Sequence, residues 1–129
     1  MKVLLIEDSS DVRLLLELEL ASRGYAVTAA DSGEAGLAVA QRERPGVVVS
    51  DLGLPGMDGI ELVRALRADP VLCGTPAIAL SGFGAWSELE RALLAGYRAA
   101  LIKPFEMEQL VTAIERCLVG DLAGAEGGA

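Results

Sequence analysis

Short apolar runs alternate along the chain with segments in which apolar residues are spaced by three and four. The apolar runs predict five strands, at residues 3–6, 25–29, 47–49, 77–80 and 99–102, and the segments between and after them predict five helices. The first, third and fourth runs are almost wholly apolar, which is typical of parallel strands covered on both faces. The pattern therefore predicts an α/β domain with a five-stranded parallel sheet and helices on both faces.

Capping and turn residues predict where the helices begin and end. A polar residue three positions before a glutamate is typical of a helix N-terminus. The predicted caps of the second, third and fourth helices are Asp31, Asp58 and Ser87, followed by Glu34, Glu61 and Glu90. Gly24 and Gly96 are predicted to end the first and fourth helices. Residues 119–129 lack a core pattern and predict a flexible Gly/Ala-rich tail or linker stub after a domain that spans 1–118.

Composition narrows the functional classes. The formal net charge of −8 argues against nucleic acid as a direct partner, because Lys and Arg must neutralise a phosphate backbone. No apolar run approaches the length of a membrane span, and acidic residues interrupt the first apolar run too early for a signal peptide. The cysteines Cys73 and Cys117 indicate reduced thiols in a cytoplasmic protein, with a disulfide as the alternative. The chain has no histidine, which favours a hard ion bound by oxygen over zinc.

Polar residues follow four of the predicted strands. Glu7 and Asp8 follow the first strand, Asp51 the third, Ser81 the fourth and Lys103 the fifth. The carboxyl ends of parallel strands meet at one edge of a sheet, so these side chains are expected to converge. Clustered carboxylates repel one another unless a cation lies among them. A divalent ion, an ammonium group and a hydroxyl around one carboxylate are suited to phosphoryl transfer, which predicts Asp51 as the nucleophile.

Taken singly, these residues also have simpler interpretations. The two acids after the first strand could cap the first helix, Ser81 could belong to an ordinary Ser-Gly turn, and Lys103 could be a surface residue. The combination gives them weight. The Glu7-Asp8 pair, the segment DLGLPGMDG from Asp51 to Gly59, Ser81-Gly82 and Lys103-Pro104-Phe105 occur in that order. Together they resemble the successive motifs of receiver domains of two-component signalling, either free-standing or excised from a hybrid histidine kinase.

The resemblance implies a flavodoxin-like sheet with strand order 2-1-3-4-5 and a phosphoacceptor at Asp51. It further implies that Asp8, Asp51 and the backbone carbonyl of Gly53 bind Mg²⁺ or Mn²⁺, and that Glu7 reaches the ion through water. Ser81 and Lys103 would contact the phosphoryl oxygens. The resemblance also implies a cis peptide bond between Lys103 and Pro104.

One position departs from the family pattern. Many relatives carry an aromatic residue or histidine three positions before the lysine, and an aromatic there turns inward on phosphorylation, but this chain has Ala100. A methyl group has no second orientation to adopt, so the usual relay does not carry over. Phe83, between Gly82 and Gly84, is the alternative moving group that the sequence offers.

Three functional classes remain open. The first is a phosphoacceptor switch served by a histidine kinase or histidine phosphotransfer protein and read by a further, unidentified protein. The second is an enzyme such as a phosphatase that works through an aspartyl phosphate; such enzymes typically need an acid two positions after the nucleophile, where this chain has Gly53. The third is a pseudo-receiver, an interaction module that does not use phosphate. The complete acidic site argues against the pseudo-receiver, whereas Ala100 keeps it open, and the three classes are ranked in the order given.

Overall fold

The computed structural model describes residues 1–82 and 86–118, and within them five strands alternate with five helices. The strands are β1 (Lys2–Ile6), β2 (Ala26–Ala30), β3 (Val47–Asp51), β4 (Ala77–Ser81) and β5 (Ala99–Ile102). The helices are α1 (Ser10–Ser22), α2 (Gly33–Glu43), α3 (Gly59–Ala68), α4 (Trp86–Ala95) and α5 (Met107–Leu118). All neighbouring strands are parallel, in the order β2-β1-β3-β4-β5. The predicted fold class and strand order are confirmed.

Two apolar layers cover the two faces of the sheet. Successive side chains of a strand point to opposite faces, and β1 shows this clearly. Val3 and Leu5 pack in one cluster with apolar residues of α1 and α5, whereas Leu4 and Ile6 pack in the other with residues of α2, α3 and α4. The helices therefore divide two against three between the faces, and the rigid sheet between them sets the positions of the strand ends.

The helix ends follow the prediction in part. The capping box of α3 is confirmed: the Asp58 side chain accepts a hydrogen bond from the backbone N–H of Glu61 at 2.9 Å, and the Glu61 side chain accepts from that of Asp58 at 3.0 Å. Gly24 and Gly96, with φ of 95° and 131°, follow α1 and α4 as predicted. Asp31 is wrong as the cap of α2, and Ser32 caps it instead.

The two incorrect caps follow from where β2 ends and where α4 begins. Strand β2 continues to Ala30, one residue beyond its predicted end, so the start of α2 moves by one position and Ser32 accepts from the backbone N–H of Ala35 at 3.1 Å. Ser87 is likewise wrong as the cap of α4, because Trp86 is already helical. Neighbouring polar residues are all competent caps, and the backbone geometry selects among them.

The remaining predictions concern the cysteines, membrane spans, Phe83 and the C-terminal segment. Both cysteines have free thiols, with Cys73 exposed and Cys117 buried. Among the helices that the structure describes, none has the length and apolar character needed to cross a membrane. The predictions for Phe83 and for residues 119–129 concern parts of the chain outside the described residues.

Candidate functional site

The strand ends meet at one edge of the sheet, as the sequence predicts. In the parallel register Ile6 pairs with Ser50, Asp51 with Leu80, and Ser81 with Ile102. The polar residues at the ends of these strands therefore lie side by side. They are Glu7 and Asp8 after β1, Asp51 in β3, Ser81 in β4 and Lys103 after β5.

Three carboxylates form the acidic part of the site. Glu7, Asp8 and Asp51 each place a carboxylate oxygen within 4.8 Å of the others. Glu7 is 1% exposed, whereas Asp8 is exposed and gives the group an open side. The cluster is thus anchored in the core and accessible from solvent, which is the arrangement that an entering ion or phosphodonor requires.

Lys103 bridges the two inner carboxylates. Its ammonium group donates to Asp51 Oδ2 at 2.9 Å and to Glu7 Oε1 at 3.1 Å. The backbone holds this lysine close, because its N–H donates to the carbonyl of Ser81 at 2.8 Å. The Lys103-Pro104 peptide bond that follows is cis, as the family resemblance implies.

Local hydrogen bonds orient the acids. The second oxygen of the Glu7 carboxylate accepts from the backbone N–H of Ser9 at 3.1 Å. Asp51 Oδ1 accepts from the backbone N–H of Gly53 at 3.2 Å, while Oδ2 faces Lys103. The Asp51 carboxylate is thereby held between a backbone donor and an ammonium group, with its oxygens in defined directions.

The electrostatics of the site show why a cation is useful. Burial raises the pKa of Glu7, and the neighbouring charge of Asp51 raises it further, against the opposing effect of hydrogen bonds from Ser9 and Lys103. Burial lowers the pKa of Lys103, but its hydrogen bonds to Asp51 and Glu7 and their negative charges outweigh this effect, so the pKa is raised overall. One ammonium group therefore leaves the negative charge of the acids incompletely balanced.

The donor set fits a hard divalent cation. All three side chains offer oxygen, which Mg²⁺ and Mn²⁺ prefer, and no imidazole or thiolate is among them. Asp8 and Asp51 are the side chains predicted to contact the ion, and the role of Glu7 through water stays a prediction. The N–H of Gly53 contacts Asp51, whereas the predicted role of its carbonyl toward the ion stays a prediction.

Ser81 departs from the expected arrangement. It lies at the end of β4 and is fully buried, but its hydroxyl donates to Glu88 Oε1 of α4 at 3.0 Å. Sequence reasoning missed Glu88, because a glutamate in the first turn of a helix gives no signal of a tertiary contact. The only cue was its position seven residues after Ser81.

Tyr97, Trp86 and Ala100 are the remaining residues of interest, and none of them belongs to the carboxylate cluster in the described residues. Tyr97 is 3% exposed and belongs to the core, and its hydroxyl donates to the carbonyl of Gly59 at 2.8 Å. Trp86 is a surface residue, 71% exposed. Ala100 is half-buried and pairs with Ala79 in the sheet, so no aromatic ring occupies the usual relay position.

Comparison with known proteins agrees with the fold and the motifs. Residues 3–115 match the family "Response regulator receiver domain". The response regulator protein FleR of Pseudomonas aeruginosa is 37% identical over 97% of this chain, and the transcriptional regulatory protein GlrR of Escherichia coli is 36% identical over 90% of it. The chain spans 26% of the length of each of these two relatives.

A solved structure gives the same result at the level of the backbone. The chemotaxis response regulator CheY4 of Vibrio cholerae superposes with a TM-score of 0.83 at 33% identity, covering 91% of this chain and 98% of that one. The chain therefore belongs to the response regulator receiver domain family.

Proposed function

We propose that this chain is a phosphoacceptor switch that receives a phosphoryl group on Asp51. The donor is a phosphohistidine of a partner histidine kinase or histidine phosphotransfer protein. An oxygen of Asp51 attacks phosphorus, the bond from phosphorus to the imidazole nitrogen breaks, and the ring leaves as neutral imidazole because its other nitrogen already carries a proton. The observation that carries the proposal is the position of Asp51, 2.9 Å from the Lys103 ammonium group and beside two further carboxylates.

Each residue contributes to charge balance or positioning. Lys103 shields the negative charge of Asp51 and is placed to follow the charge onto the transferred oxygens. Asp8, Asp51 and the Gly53 carbonyl would bind Mg²⁺ or Mn²⁺, with Glu7 acting through water. The bound ion would supply the remaining positive charge at phosphorus. Ser81 would donate its hydroxyl to a phosphoryl oxygen.

The proposal also covers the bounds of the domain, its location and its partners. The receiver would span residues 1–118, with 119–129 as a tail or linker stub, and would act in the cytoplasm, where kinases obtain ATP. It would be a signalling switch and not a turnover enzyme, apart from slow loss of its own phosphoryl group. Its phosphorylated surface would be read by a protein partner, with no direct contact to nucleic acid.

Phosphorylation can be tested directly. Incubation with Mg²⁺ and acetyl phosphate is expected to add one phosphoryl group to the wild-type protein, seen by intact mass as an acid-stable, alkali-labile adduct. Asp51→Asn is expected to remove the adduct, because an amide is a poor nucleophile. Asp31→Asn, which neutralises an exposed acid outside the carboxylate cluster, is the matched control and is expected to react like wild type.

Two outcomes would contradict the proposal. An adduct that persists in Asp51→Asn would identify another acceptor. The absence of an adduct in the wild-type protein, together with unchanged thermal stability on addition of Mg²⁺, would favour the phosphate-independent pseudo-receiver.

A further inference from the structure

The hydroxyl of Ser81 is held by an acid from a different element. Ser81 ends β4 and is fully buried, and Glu88 lies half-buried in the first turn of α4. The 3.0 Å hydrogen bond between them joins the edge of the sheet beside Asp51 to the start of α4. A hydroxyl carries a single proton, so Ser81 can donate to only one acceptor at a time.

Under the proposed function, on which this inference rests, Ser81 has a second anionic acceptor, the phosphoryl group on Asp51. We propose that Glu88 is a positioning residue of the phosphoryl-transfer reaction. Its carboxylate competes with the phosphoryl oxygens for the Ser81 hydroxyl, and the loss of this bond on phosphorylation frees the first turn of α4. Glu88 therefore slows phosphorylation of Asp51, and the loss of its hydrogen bond to Ser81 carries the effect of phosphorylation to α4.

The surroundings of Glu88 provide a second partner for its carboxylate. Glu88 lines a cavity of about 40 Å³ together with Leu52, Asp58, Ile60 and Arg91. Arg91 lies three positions farther along the same helix, a spacing at which opposite charges attract. Once Ser81 turns to phosphate, the freed carboxylate has a cation within reach on its own helix.

The sheet explains why such a connection matters in this chain. Ala100 pairs with Ala79 on β4, two residues before Ser81, and offers only a methyl group, which has no second orientation to adopt. The hydrogen bond from Ser81 to Glu88 connects the same strand end to α4 without an aromatic at that position.

Substitution of Glu88 tests the competition. With Mg²⁺ and acetyl phosphate, Glu88→Ala is expected to be phosphorylated about fivefold faster than wild type, the size that the loss of one competing hydrogen bond would produce. Glu88→Gln keeps an accepting oxygen and is expected to stay within about twofold of wild type. Glu90→Ala removes the same charge from an exposed position on the same helix and is expected to react like wild type.

A double substitution separates competition from a merely structural effect. If Glu88 acts through Ser81, Glu88→Ala should cause no further increase in rate in the Ser81→Ala background. Equal rates for Glu88→Ala and wild type would overturn the inference. A fivefold gain that persists without the Ser81 hydroxyl would also overturn it.

Amide hydrogen exchange gives a measurement that needs no phosphoryl group. Without phosphodonor, Ser81→Ala and Glu88→Ala are both expected to increase exchange of the amides in the second turn of α4, because these donate to the carbonyls of the first turn, and Glu90→Ala is not. If the wild-type protein accepts no phosphoryl group, the proposed function fails and takes the role in transfer with it. If the wild type is phosphorylated normally and Glu88→Ala changes neither rate nor exchange, only the role of Glu88 fails.

Discussion

At the scale of single residues, Lys103 is the most consequential side chain that the site contains. It is the cation that the structure places between Glu7, whose side chain is 2% exposed, and Asp51, whose side chain is 13% exposed. A buried carboxylate that loses its partner is costly, because neither water nor a counter-ion replaces the lost interaction. Lys103 therefore stabilises the fold as well as serving phosphoryl transfer.

Lys103→Met is expected to lower the free energy of unfolding by about 2 kcal/mol at pH 7, below the usual cost of breaking a fully buried pair because the lysine is partly exposed. The substitution also removes the hydrogen bond and charge that lower the pKa of Glu7, so that pKa rises further. When the pKa of an acid is higher in the folded state than in the unfolded state, the folded state loses stability as pH rises above the unfolded pKa. For glutamate that unfolded pKa is about 4.3. The decrease in unfolding free energy caused by Lys103→Met should therefore become smaller as pH falls from 7 to 4. Urea unfolding of both proteins at the two pH values measures it.

The control is Lys2→Met, which removes an exposed lysine that lies 4.0 Å from Glu43. Surface pairs contribute little, so this variant should show almost no change at either pH. An equal loss of stability for Lys103→Met at pH 4 and pH 7 would show that packing of the lysine stem, and not the buried carboxylate, sets the cost.

At the scale of elements, Tyr97 joins the segment between α4 and β5 to the first turn of α3. Its hydroxyl donates to the carbonyl of Gly59. Gly59 itself packs tightly against the backbone after the phosphoacceptor: a Cβ there would lie 2.7 Å from the Asp51 carbonyl oxygen and 2.7 Å from Leu52 Cα. The close approach requires glycine, and it places the start of α3 and the hydroxyl of Tyr97 beside the site.

Tyr97→Phe is expected to cost about 1 kcal/mol of unfolding free energy at pH 7, because the buried Gly59 carbonyl loses its donor. Burial raises the pKa of Tyr97, so ionisation is favoured only in the unfolded chain. Wild type therefore loses stability as pH rises through the unfolded value of about 10, and the variant lacks this loss. The difference in unfolding free energy between wild type and Tyr97→Phe should therefore become smaller above pH 10. Urea unfolding at pH 7 and pH 11 measures it.

Tyr25→Phe removes the hydroxyl of the other tyrosine, which is half-buried and packs against the cluster that contains Val3 and Leu5. It should cost less than Tyr97→Phe at pH 7. A difference between wild type and Tyr97→Phe that stays constant from pH 7 to pH 11 would contradict the interpretation of Tyr97 as a buried, neutral donor.

At the scale of the whole molecule, the net charge of −8 and the carboxylate cluster predict a specific response to Mg²⁺. An ion that binds only the folded state at 100 times its dissociation constant stabilises that state by about 2.7 kcal/mol. We expect Mg²⁺ to raise the thermal midpoint of wild type well beyond the effect of NaCl at the same ionic strength, which reports only screening of self-repulsion.

Asp8→Asn is the informative variant, because Asp8 is the exposed acid of the cluster and its loss leaves the ion pair of Glu7 and Lys103 intact. It should retain the response to NaCl and lose most of the additional response to Mg²⁺. Equal responses to the two salts in wild type would argue against a metal site.

Local features of the fold were predictable because their causes lie within a few residues. The capping box of Asp58 and Glu61 spans three positions and forms as expected. The cap of α2 was missed by one residue, because Asp31 and Ser32 are both competent and the end of β2 chooses between them. Such choices depend on strand pairing, which connects residues far apart in the chain.

The sequence by itself determined the alternation of strands and helices and the chemistry of each strand end, since both depend on periodicity and residue type. Only the tertiary structure decided which polar groups bond to one another. Lys103 bridges Glu7 and Asp51, which are 96 and 52 positions away, and Ser81 bonds to Glu88 on a helix docked against the sheet. A hydrogen bond depends on distances of a few tenths of an ångström, and packing of the whole chain sets distances on that scale.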